Sequence, residues 1–119
     1  MLSKINRLTK ERDFAKVAQF GRSLVLPFLV IRSFKRGDEP FSRFGFVVSK
    51  RISKLAPRRN YLKRIMREIV RGLVSDISTG YDFVFIARQP IKSIKFLELK
   101  ESIYKAFKKM NLLSSEREK

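Results

Sequence analysis

The chain has 119 residues, a formal net charge of +17 and an aliphatic and aromatic content of 44%. That is one domain's length, too apolar for a disordered basic tail, and its excess positive charge calls for a polyanion, nucleic acid foremost. The lack of cysteine and histidine excludes disulfides, thiolate nucleophiles and zinc–thiolate sites, and removes the commonest general base and metal ligand.

A short helix is expected over residues 9–20, with Thr9 as its cap, Glu11 and Asp13 in the first turn where the helix dipole favours acids, and Gly21 closing it. Phe14, Val17 and Ala18 share one face of that helix. Residues 23–34 are rich in β-formers, but Pro27 cannot donate to a ladder, so a break into two short strands or an edge is expected there. Residues 35–40 (KRGDEP) have turn composition. The next strand, 42–49, alternates Phe44, Phe46 and Val48 on one face with Gly45, Val47 and Ser49 on the other.

Pro57 precedes the clearest helix, Arg58 to about Val74, and a turn follows at 76–80. Residues 82–88 (DFVFIAR) are almost continuously apolar, the pattern of a strand buried at the centre of a sheet. After Pro90 a last helix starts near Ser93, with Leu99, Ile103, Tyr104, Phe107 and Met110 on one face, and the polar tail 114–119 is expected to fray. The order α-β-β-β-α-β-α reads as an α/β (α+β) two-layer sandwich in a single domain, 1–119. No apolar run approaches the roughly 18 residues of a membrane span, and residues 1–10 lack a signal-peptide core. A soluble cytoplasmic protein with no membrane partner is expected.

The middle helix holds the functional signal. At about 100° per residue, with Arg59 at the origin, the apolar set Leu62, Ile65, Met66, Ile69, Val70 and Leu73 falls in one sector. Arg59, Asn60, Lys63, Arg64, Arg67 and Arg71 fill the adjacent one. Arg59, Lys63, Arg67 and Arg71 stand four apart, and each like-charge pair costs roughly 0.2–0.5 kcal/mol. An ordinary solvated helix would intersperse acids, and here only Glu68 does so. A polyanion-binding face is the better reading, because arginine's planar fork matches phosphate. Lys50, Arg51, Lys54 and Arg58 lead into it.

Phe46-Val47-Val48-Ser49-Lys50-Arg51, followed by Arg59-Asn60-Tyr61-Leu62-Lys63-Arg64-Ile65-Met66-Arg67-Glu68, resembles the signature of the bacterial ribonuclease P protein subunit. Phe14 before Val17 and Gly21, and Gly80-Tyr81-Asp82 running into Ile86-Ala87-Arg88, resemble its flanks, so the likeness covers about Leu8 to Phe107. Two positions depart from the family pattern. Tyr61 stands where an arginine is usual, and Ala18 where an aromatic is usual one turn after Phe14.

The resemblance implies a left-handed βαβ crossover around the basic helix. It implies a protein that binds a catalytic RNA and the 5′ leader of precursor tRNA while the RNA, with Mg2+ held mainly by its phosphates, hydrolyses the phosphodiester. One protein per RNA is the simplest assembly. The RNA-contacting set is then Lys50, Arg51, Arg58, Arg59, Asn60, Lys63, Arg64, Arg67 and Arg71, with Asn60 alternatively anchoring the helix start. Phe14 is carried over as a leader-cleft residue, its alternative being the packing face of the first helix. Arg32, which interrupts an apolar strand, either points into that cleft or is an edge-strand charge. No residue is assigned to catalysis or to metal, and the acid pair Asp38-Glu39 reads as a solubilising turn. A structural ribosomal-RNA binder is the alternative function. A peripheral membrane binder would need the apolar face of the basic helix to be free.

Overall fold

The computed structural model describes residues 2–37 and 39–113. The readings of Asp38 in a turn and of 114–119 as a frayed tail fall outside the described residues. The elements are α1 (Glu11–Phe20), β1 (Arg22–Val25), β2 (Leu29–Lys35), β3 (Arg43–Val47), α2 (Ala56–Leu73), β4 (Tyr81–Ala87) and α3 (Phe96–Lys109). Short 3-10 turns sit at Lys4–Asn6, Val74–Asp76 and Gln89–Ser93. This is the order read from the sequence.

Four strands form one sheet in the order β1-β2-β4-β3. Pro27 does break the first β segment, and β1 and β2 pair antiparallel from Arg22↔Ser33 to Val25↔Val30. The apolar run of β4 lies inside the sheet, antiparallel to β2 and parallel to β3. Parallel neighbours cannot be joined by a tight turn, and α2 lies in the connection between β3 and β4.

The alternation of β-strands divides the apolar residues between two faces. Leu29, Ile31, Phe44, Phe83 and Phe85 join Met66 and Ile69 of α2 and Ile103 and Phe107 of α3 in the main core. Phe83 is stacked with Phe44 at 5.3 Å and meets Phe107 edge-on at 5.0 Å. Full burial of each such side chain contributes roughly 1.5–3 kcal/mol. The opposite face is smaller: Leu8, Val17 and Val84, with Phe14, Phe34 and Ile86 beside them. The main sandwich is therefore the sheet with α2 and α3, and α1 covers the second face.

Three helix starts differ from expectation, α2 beginning at Ala56 with Pro57 inside its first turn. α1 begins at Glu11 after Lys10, without a side-chain cap from Thr9, because the amides of Asp13 and Phe14 already donate to the Lys10 carbonyl. α3 begins at Phe96 rather than near Ser93, since residues Gln89–Ser93, with Pro90 in the first turn, form a separate 3-10 turn and Ile94 is extended.

Candidate nucleic-acid interface

Pro57 lies in the first turn of α2, where a missing N–H does no harm. Leu62, Met66, Ile69, Val70 and Leu73 are buried against the sheet, so the remaining helix surface carries the charge. Asn60, Arg64, Glu68 and Arg71 are exposed, and Lys63 and Arg67 are half-buried at the border with β3. Lys50 and Arg51 are exposed in the turn that follows β3.

Several of these cations are held in place by neighbours. Arg59 Nη1 donates to the carbonyls of Ser53 and Lys54, both at 3.0 Å, fastening the incoming loop to the helix start. Arg58 Nη2 donates to the Lys92 carbonyl at 3.2 Å, and Arg67 lies 5.7 Å from the centroid of the Phe46 ring. Such anchoring lowers the entropy lost when a side chain meets a phosphate. Arg71 differs, because its guanidinium forms a 2.8 Å ion pair with Glu68. That hydrogen bond holds the Glu68 carboxyl below the ordinary carboxylate range, so the strip is partly neutralised at its C-terminal end.

Beside the strip runs a groove of about 330 Å3. Arg7 and Phe14 line it from the N-terminal segment and α1, Gly45 and Phe46 from β3, and Lys63 and Arg67 from α2. Glycine at position 45 makes room for Phe14, since a Cβ there would stand 2.5 Å from Phe14 Cζ and push the ring aside. Phe14 is thus brought next to the basic helix. Arg32 is not among the lining residues. Its Nε donates to Val17 O at 3.2 Å, and its Nη2 to Ala18 O at 2.8 Å and Gly21 O at 2.9 Å. Its Nη1 donates to Ser23 Oγ. These carbonyls lie at the C-terminal end of α1, where a cation is favoured, and that of Val17 also accepts from the Gly21 amide. Arg32 closes a helix, in place of pointing into the groove. A larger recess of about 450 Å3 at the β1–β2 end is lined by Phe20, Arg22, Phe34 and Tyr81, and by no residue of the basic strip.

The sequence reading missed the group that braces the groove. Asp82, 2% exposed, holds Arg36 and Arg43 at 2.8 Å each, and Arg43 reaches on to Asp13 of α1 at 3.3 Å. The Asp82 hydrogen bond raises the Arg43 pKa against the opposing effect of burial. An acid opening an apolar strand signals a buried pair, but its partners are not legible from spacing. Arg7 was also missed.

Comparison with known proteins is decisive. The Ribonuclease P family profile matches residues 2–111. The chain belongs to the ribonuclease P protein family. Curated relatives include the ribonuclease P protein component of Alkaliphilus oremlandii, 36% identical over 93% of this chain and 96% of that one. That of Caldanaerobacter subterraneus is 38% identical over 94% and 95% respectively. Among solved structures, the Staphylococcus aureus RNase P protein superposes with a TM-score of 0.81 at 29% identity, covering 91% of this chain and 97% of that one. The Thermotoga maritima RNase P protein gives 0.77 at 34%, covering 87% and 96%. The family places the chain as the protein component of a tRNA-processing ribonuclease. No helix among the described residues is long and apolar enough to cross a membrane.

Proposed function

We propose that this chain binds the catalytic RNA of ribonuclease P through the exposed face of α2 and holds the 5′ leader of precursor tRNA in the adjoining groove. The RNA cleaves the phosphodiester, one protein accompanies each RNA, and the complex acts in the cytoplasm. The observation carrying the reading is the juxtaposition of cations and aromatics: Lys63 and Arg67 belong both to the basic strip and to the groove containing Phe14 and Phe46. Single-stranded RNA is recognised by that combination, rings for bases and cations for backbone.

The chain's chemistry supports this division of labour. Histidine and cysteine are absent from the sequence, and the buried acids Asp13 and Asp82 are engaged by arginines. Among the described residues no three acids gather as a metal cage. In the proposed holoenzyme Mg2+ sits on RNA phosphates, and the protein's charge lowers repulsion between RNA segments.

Equilibrium binding to a transcribed bacterial ribonuclease P RNA over a salt series tests this reading. With about 6–10 phosphate contacts, affinity falls roughly three to five decades between 50 and 200 mM salt. Arg64→Ala with Arg67→Ala weakens binding and flattens the slope, with little loss of stability. An unchanged slope places the interface elsewhere.

A further inference from the structure

Tyr61 on α2 and Phe96 at the start of α3 are 42% and 44% exposed. They line one recess of about 130 Å3 between the two helices, floored by Leu62, Ile91 and Leu99, which are at most 5% exposed. The Arg58 and Arg64 guanidinium carbons each lie 5.5 Å from the Tyr61 ring centroid, one from the turn before it and one from the turn after. The helical wheel sets Tyr61 outside the basic sector, yet the folded chain sets two cations close to its ring.

This recess shares no lining residue with the Phe14 groove and opens on the other flank of α2. Every charged residue lining it is a cation, Arg58 or Lys92. That selects an anionic partner over an acid-tolerant protein surface, and the recess is continuous with the strip through Arg58. Its size admits a single ring and not a helix. Exposed aromatics beside cations are what an unstacked base requires, since every base has a π-face and a neighbouring phosphate.

We propose that this recess is a second nucleobase site, in which one unpaired base of the bound ribonuclease P RNA inserts between Tyr61 and Phe96 while its flanking phosphates meet Arg58 and Arg64. The inference rests on the RNA-binding reading of α2 above. It gives Tyr61, which the helical wheel leaves outside the basic sector, a stacking task.

The test titrates transcribed bacterial ribonuclease P RNA with the wild-type chain and with Tyr61→Phe, Tyr61→Leu and Phe96→Leu, circular dichroism confirming each fold. Leucine preserves apolar cover and removes the π-face, so a purely structural role survives the change. The expected result is wild-type affinity for Tyr61→Phe and roughly fivefold or greater weakening for each leucine variant. The salt slope stays unchanged, because no charge is removed. Wild-type affinity in both leucine variants overturns the nucleobase site and leaves the α2 reading standing, including the case in which the recess docks a protein. A wild-type chain that does not bind the RNA overturns the α2 reading, and the site falls with it.

Discussion

Arg32 donates to three carbonyls at the end of α1, and this charge-assisted closure makes its removal a matter of stability. Arg32→Gln is expected to cost roughly 1.5–3 kcal/mol in urea denaturation, while affinity for RNA changes by no more than the loss of one charge. An arginine in an apolar strand announces itself in the sequence. Its partners lie across the fold and are not visible there, so the sequence offered a groove residue or an edge-strand charge, whereas β2 is an inner strand and Arg32 closes a helix. Gly45 is the converse case, an unremarkable strand glycine whose missing Cβ makes room for Phe14. Gly45→Ala forces that ring to move, at a cost of roughly 1–3 kcal/mol, and weakens binding of a single-stranded leader oligonucleotide more than binding of leaderless tRNA. Equal effects on both would remove Phe14 from leader recognition.

On α2 the apolar stripe and the basic strip were both legible, because a 3.6-residue period maps directly onto the faces of a helix. What the wheel could not supply was the neighbour of each cation. Lys63 and Arg67 border β3, Arg58 and Arg64 flank Tyr61, and Arg71 is tied to Glu68. These differences predict unequal contributions. The Arg64→Ala, Arg67→Ala pair should reduce the magnitude of the salt slope by roughly 1.4–1.8. Glu68→Gln, by contrast, releases Arg71 and should steepen the slope by up to about 0.9 with tighter binding. A flatter slope in Glu68→Gln would show that Arg71 does not face RNA. The Glu68 carboxyl is depressed by Arg71, so the pair's contribution to stability is present above the unfolded pKa and is lost as pH falls through the lower folded value. Glu68→Gln should therefore leave the shape of the stability curve unchanged from pH 6 to 8, as denaturation midpoints would report.

Across the whole molecule, strand identities were readable from alternation and from the continuous apolar run of β4, but strand order was not. Pairing depends on contacts between distant segments, here β4 inserted between β2 and β3. That order makes β3 an outer strand beside α2, and it brings together Phe14, Phe46 and Lys63 from three separate elements. The half-buried Arg43 link from Asp82 to Asp13 holds α1 against the same region, beside the groove and the basic strip. The most direct test of that surface is reconstitution of cleavage. Transcribed bacterial ribonuclease P RNA and a precursor tRNA are combined at limiting magnesium, with and without this chain, and release of the mature 5′ end is measured. A large stimulation by the chain, with no cleavage by the chain alone, is the predicted result. Absence of stimulation by folded chain that still binds the RNA would contradict a role in leader removal and indicate a structural RNA binder.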